Sequence, residues 1–208
     1  MKAFVYTELQ INKPFNDAPW KQVNTSLKQQ PGILNKTWLS GIETNSLGGL
    51  YTFDTIENAQ SFVTAYFPGE AEKFGVAQTT RIFSAEIVEE ASRDMKSVHF
   101  GEKLDIKPGA YVYTEVQISV PFEDLPWQDI NPALKEQAGI LSKTWLSGLH
   151  SNSAGGIYAF DTLKNAKKFA LDYFPTETRT MNAAYTTRIF DAAVTEEASR
   201  DMGSPFFS

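Results

Sequence analysis

The chain says almost everything twice. Sliding the sequence by 107 residues lays Ala3–Met95 on Ala110–Met202 without a gap, and 54 of the 93 aligned positions are identical. GILNKTWLSG at 32–41 returns as GILSKTWLSG at 139–148, and PFNDAPW at 14–20 as PFEDLPW at 121–127. TTRIF and EEASRDM recur at the same offset. A period this long is a domain and not a solenoid unit. The expected plan is a first domain over 1–95, a linker over 96–109 ending in Lys-Pro-Gly, a second domain over 110–202 and a tail over 203–208.

Each copy reads as two βαβ-like halves. Ala3–Ile11 alternates as a half-buried strand does, and Ile33–Ser40 and Leu50–Phe53 follow as a hairpin across the Thr44-Asn45-Ser46 and Gly48-Gly49 turn residues. Asp17 is the expected N-cap of a first helix that Pro31-Gly32 ends. Asp54 and Glu57 resemble a capping box before a helix that runs to Pro68. A fourth strand over 76–85 and a short helix over 89–95 complete the unit. The order β-α-β-β-α-β is ferredoxin-like, and it leaves one face of an antiparallel sheet bare. The fold class expected is therefore α+β: two tandem ferredoxin-like domains packed sheet to sheet as an intrachain pseudo-dimeric α/β barrel.

Composition narrows the partners. A formal net charge of −6 lacks the basic footprint of nucleic-acid binding. Cysteine is absent, which removes disulfides and thiolate metal sites, and the opening Met1-Lys2-Ala3 runs into a strand pattern with no leader-like segment. No apolar run has bilayer length, so a cytoplasmic protein without a membrane partner is expected. His99 and His150 do not recur in the other copy, which argues against a paired histidine metal site. No phosphate-binding glycine loop is present, and nothing in the residues demands a cofactor or a metal.

Alternation along the strands places Leu34, Lys36, Trp38 and Ser40 on one face of the second strand. Tyr6, Glu8 and Gln10 share a face of the first, Tyr51 and Phe53 of the third, and Thr79, Arg81 and Phe83 of the fourth. These aromatic and polar sets are assigned together to a hollow between the two sheets. Glu8 and Arg81 lie on neighbouring strands, as do Glu115 and Arg188, and form either register-fixing ion pairs or a base with its anion-binding guanidinium. Tyr6, Trp38, Asn45, Tyr51 and Phe53, with Tyr113, Trp145, Asn152, Tyr158 and Phe160 in the second copy, are the candidate substrate contacts. Each also has a structural reading as core or turn. Trp20 and Trp127 are expected to pack the first helix on the sheet.

Pro31-Gly32-Ile33-Leu34-Asn35-Lys36-Thr37-Trp38, then Gly48-Gly49-Leu50-Tyr51-Thr52-Phe53 and Asp54, resemble the YdhR-type family of small monooxygenases of the dimeric α/β-barrel superfamily. The second copy departs with Ala138 for the proline and Met181-Asn182 for Phe74-Gly75. The resemblance implies a cofactor-independent monooxygenase for a small aromatic, phenolic or polyketide-like substrate bound between sheet and helices. A cyclase or dehydratase, or a non-catalytic binding protein, is the alternative. In the oxygenase reading Glu8 is the base, with or without Tyr6, and Arg81 and Asn45 stabilise the anion, while Trp38, Tyr51 and Phe53 hold the ring. The partner expected is a small apolar or aromatic ligand, with an intrachain pseudo-dimer and a further homodimer left open.

Overall fold

The computed structural model describes every residue except Asn12. It divides into two compact units whose limits are not those of the sequence repeats: 1–86 with 194–208, and 87–193. The short helix that ends each repeat is thus part of the unit built mainly from the other repeat.

In unit 1, strands β1 (Ala3–Gln10), β2 (Ile33–Gly41), β3 (Ser46–Phe53) and β4 (Gln78–Ser84) form an antiparallel sheet in the order β4-β1-β3-β2. Helix α1 (Trp20–Leu27) connects β1 to β2. Between β3 and β4, α2 (Ile56–Ser61) and α3 (Phe67–Phe74) are joined by a π-helical turn, Phe62–Tyr66. Helix α4 (Glu89–Asp94) opens unit 2. Its strands β5 (Ala110–Gln117), β6 (Ile140–Gly148), β7 (Ser153–Phe160) and β8 (Tyr185–Asp191) repeat the order as β8-β5-β7-β6. Helices α5 (Trp127–Lys135), α6 (Leu163–Lys168) and α7 (Phe174–Thr180) follow the same plan, with a π-helical turn at Phe169–Tyr173. The terminal helix α8 (Glu196–Asp201) returns to unit 1. Each unit is ferredoxin-like, and the class is α+β as expected.

Several local expectations shift for physical reasons. Asp17 lies in a 3₁₀ turn, Phe15–Asp17, and α1 starts at Trp20 behind Pro19 without a side-chain cap. The cap of α2 is Thr55, whose Oγ1 accepts from Asn58 N at 3.1 Å, while Asp54 Oδ1 accepts from Asn58 Nδ2 at 2.8 Å. Pro68 does not stop the helix. The π turn carries the Phe67 N–H to Phe62 O, and Pro68 falls in the first turn of α3, where a missing N–H costs nothing. Leu34 leaves the face of Lys36 because the register shifts between Ile33 and Asn35, and Leu34 is turned outward at 51% exposure.

The terminal helices fix the strand that matters most. In unit 1, Lys36 N donates to Met202 O at 3.2 Å and Trp38 N to Ser199 Oγ at 2.9 Å, and the Thr37 and Ser204 hydroxyls meet at 2.8 Å. In unit 2, Lys143 N donates to Met95 O at 3.0 Å and Trp145 N to Ser92 Oγ at 2.9 Å. Thr144 Oγ1 meets Ser97 Oγ at 2.7 Å and His99 Nδ1 at 2.8 Å. His99, expected in a linker, is a packed part of unit 2, and burial pushes its pKa down to about 3.

Candidate functional site

Cross-strand partners in an antiparallel sheet point to the same face, so the register decides which side chains meet. Val5 faces Tyr51 and Tyr6 faces Leu50; Lys36 faces Tyr51 and Trp38 faces Gly49. Val5, Thr7 and Leu9 therefore share a face with Tyr51, Phe53, Lys36 and Trp38, and this is the face the helices cover. Tyr6, Glu8 and Arg81 lie on the opposite face with Leu50 and Phe83. The sets joined in the sequence reading are thus split by the sheet itself.

A cavity of about 540 Å³ lies on the helix-covered face of unit 1. Its floor is Thr7 and Leu9 of β1, Lys36 and Trp38 of β2, and Leu47, Gly48 and Tyr51 of β3. Its other walls are Val23 and Leu27 of α1, Tyr66 in the π turn, and Phe67, Glu70 and Phe74 of α3. Unit 2 holds a counterpart of about 470 Å³ over Thr114, Lys143, Trp145 and Tyr158, walled by Ile130, Leu134, Tyr173, Phe174 and Glu177. Both fall within the usual size range for small-molecule sites, and their linings are mainly apolar and aromatic.

Trp38 is held from three sides. Its Nε1–H donates to Asn24 Oδ1 at 2.8 Å, its backbone N–H is taken by Ser199, and its ring meets Phe15 edge-on at 5.6 Å. Asn24 is fully buried and is itself fixed by Nδ2 donation to Ala198 O at 3.0 Å and Asp201 Oδ2 at 2.8 Å. Asn131 does the same for Trp145, with 2.9 Å to the indole, 3.0 Å to Ala91 O and 2.9 Å to Asp94 Oδ2. Hydrogen bonds from Lys28 and Asn24 hold Asp201 below the usual carboxylate range, and those from Lys135 and Asn131 do so for Asp94.

On the rigid indole sits a lysine. Lys36 is 2% exposed and Lys143 1%, with Nζ 2.9 Å and 2.7 Å from the Trp38 and Trp145 ring centroids and 4.9 Å from the Tyr51 and Tyr158 rings. Desolvation lowers both ammonium pKa values well below the ordinary lysine value. The same burial raises Tyr51 far above its usual value, a shift the neighbouring Thr7 hydroxyl reduces and Tyr66 and Glu70 increase. Tyr66 is pushed up to about 12, chiefly by burial and then by Glu70. The tyrosines are therefore neutral hydroxyls at physiological pH.

Of the expected contacts, the structure brings Trp38 and Tyr51, and Trp145 and Tyr158, to the cavities. Phe53 and Phe160 are fully buried behind them, in ring contact with Phe62 at 5.2 Å and Phe169 at 5.3 Å. Asn45 is an exposed turn residue at φ 48°, and Asn152 is likewise exposed in its turn. Glu8 is buried on the other face and accepts from Tyr6 Oη at 2.9 Å, as Glu115 does from Tyr113. Arg81 and Arg188 are exposed. None of these groups lines either cavity. Lys36 and Lys143 line the cavities without being among the expected contacts, although the sequence places Lys36 beside Trp38; a lysine inside an otherwise apolar strand is the available signal.

Residues 6–95 match the family model described as "Putative mono-oxygenase ydhR". The match spans nearly all of the first repeat. No curated protein matches the chain. Solved structures similar to it include a "putative monooxygenase" from Lactobacillus acidophilus NCFM, at 8% identity and TM-score 0.50, covering 91% of this chain and 92% of that one. An "anthrone oxidase-like protein" is similar at 13% identity and TM-score 0.51, over 91% and 90% of the two chains. A mutant chlorite dismutase from Candidatus Nitrospira defluvii, in complex with cyanide, matches at 9% identity and TM-score 0.51 over 97% and 95%. At such identities the likeness is one of fold. The matched stretch begins within β1, runs through β4 and contains the whole Lys36–Trp38–Tyr51 constellation. Among the described residues no helix is long and apolar enough to cross a membrane.

Proposed function

We propose that the protein is a monooxygenase that works without a cofactor on a small, weakly acidic aromatic or polyketide-like substrate, bound between sheet and helices. The observation that carries this reading is the aromatic cavity of unit 1, within the repeat that the ydhR model matches, where apolar walls surround a single buried amine. Tyr51, Tyr66 and Phe74 offer aromatic surface to a flat ligand beside the Lys36–Trp38 pair, and Leu47, Val23 and Phe67 exclude water. Dioxygen reacts with electron-rich carbanions and enolates, so the site has to favour the ionised substrate. Conversion of an activated CH₂ and O₂ to C=O and H₂O draws every electron from the substrate and needs no outside reductant. The carboxylate first expected as base, Glu8, lies across the sheet and has no part in this reading.

Oxygen uptake tests the proposal. The purified chain, mixed with a panel of phenols, hydroquinones and anthrones and no added cofactor, is expected to consume oxygen and yield a product with one oxygen incorporated from ¹⁸O₂. Turnover that continues without oxygen would instead make it a cyclase or dehydratase. Tight binding without any product would make it a carrier.

A further inference from the structure

We infer that Lys36 and Lys143 are the proton acceptors of the two cavities: each ε-amine takes the proton of a bound phenol or enol and holds the resulting anion as an ion pair. In this step the ligand O–H bond breaks, an N–H bond forms, and no electrons leave either partner. The inference rests on reading the cavities as sites for weakly acidic ligands.

The geometry is built around the amine. The Lys36 stem crosses β3 over Gly49, where an added Cβ would stand 2.6 Å from Lys36 Cε; at Gly156 the corresponding distance to Lys143 Cε is 2.7 Å. Any larger residue at these positions would fill the lysine's path. Beyond the glycine, Nζ lies over the indole, and among the described residues no carboxylate stands within ion-pair distance of it. An ammonium without a counter-ion in such a place is costly, whereas a neutral amine is not.

The other titratable groups do not supply the missing charge. From β3 comes Tyr51, and from the π turn Tyr66, both neutral phenols. Glu70 of α3 bonds Lys73 at 2.6 Å, and Asp17 and Lys13 complete the charged residues of the lining. In unit 2 the equivalent set is Tyr158, Tyr173, Glu177 and Asp129.

A second, independent feature marks a ligand position. Thr7 is fully buried on the cavity floor, where its Oγ1 has only a poorly aligned partner in the Tyr51 hydroxyl; Thr114 stands in the same way to Tyr158 in unit 2. A buried hydroxyl without a well-made hydrogen bond costs free energy, part of which a ligand oxygen would recover. An anionic oxygen placed between this hydroxyl and the amine satisfies both. Proton transfer then creates the ammonium and its counter-ion together, while the indole and phenol faces stabilise the cation.

The test uses para-nitrophenol, whose phenolate absorbs visible light and whose neutral form does not. The full chain is titrated in a buffer acidic enough to keep the free probe neutral. Binding is expected to switch on the phenolate band, and the double variant Lys36→Met with Lys143→Met is expected to lower the bound phenolate at least about tenfold, as a loss of one pKa unit of bias would. A probe bound as the neutral phenol overturns the inference but leaves the cavities as ligand sites. A phenolate band undiminished in the double variant also overturns it. Failure of every phenol tried to bind removes the cavity reading and the inference with it. Should the double variant not fold, lysine side-chain NMR of the wild type decides. Two amines neutral without ligand and protonated on probe addition support the inference, whereas two that titrate with the surface lysines overturn it.

Discussion

Replacing Lys36 and Lys143 with methionine should stabilise the protein, by an amount that grows as the pH falls. Methionine keeps the unbranched stem over Gly49 and Gly156 and does not titrate. In the unfolded chain a lysine ionises at about 10.4. In the fold, burial lowers both groups well below that value. Between the two pKa values the unfolded state binds one more proton per lysine, so wild-type stability falls as the pH is lowered, by about 1.4 kcal/mol per pH unit per lysine. Below the folded pKa both states are protonated and the loss stops increasing. The variant lacks this penalty. Across that window its advantage should widen by roughly 1.4 kcal/mol per unit for one substitution and roughly 2.7 for both. Urea unfolding followed by tryptophan fluorescence at a series of pH values measures it. A difference that stays constant with pH would mean that both lysines are ammonium ions in the fold, held by the rings alone, and the reasoning would fail.

Asn24→Ala should leave the Trp38 Nε1–H without its 2.8 Å acceptor, costing about 1–3 kcal/mol in unfolding free energy and weakening ligand binding in unit 1. His99→Phe installs the residue type found at the matching position of the second repeat, Phe206. His99 has a folded pKa of about 3, so the unfolded chain binds the extra proton from there up to about 6.5. Wild-type stability should therefore drop as pH falls through that window, and the drop should shrink in the variant; equal acid sensitivity in unfolding curves would contradict this. Gly49→Ala should displace the Lys36 side chain, seen as a changed lysine NMR titration. Glu8→Gln with Glu115→Gln should bind phenolic probes with wild-type affinity, because neither carboxylate reaches a cavity.

The sequence made the duplication, the strand order and the helix positions legible, because they rest on identity and periodicity within single segments. It also put Lys36 next to Trp38 and Tyr51 next to Phe53 on their own strands. What it could not contain was the register between strands. Tyr6 and Tyr51 each alternate correctly, yet Tyr6 faces Leu50 across the β1–β3 ladder, and that single step sends Glu8 and Arg81 to the other side of the sheet. Leu34 was lost to an irregularity that no turn residue announces. The clamp on Trp38 was hidden for another reason. Asn24 and Ser199 are 175 residues apart, and the units exchange their terminal helices relative to the repeats. In the sequence the lysine shares a strand face with the aromatic residue Trp38, but nothing there assigns it a role. That no carboxylate among the described residues comes within ion-pair distance of it is a tertiary property.

The measurement that bears most directly on the site is a crystal structure of the protein with a bound brominated phenol, located by the anomalous signal of bromine. Peaks between the sheet and helices of each unit are predicted, with the ligand oxygen beside Lys36 and Thr7 in one cavity and Lys143 and Thr114 in the other. A peak instead on the sheet face that bears Tyr6 and Glu8, with both cavities empty, would contradict the site proposed here.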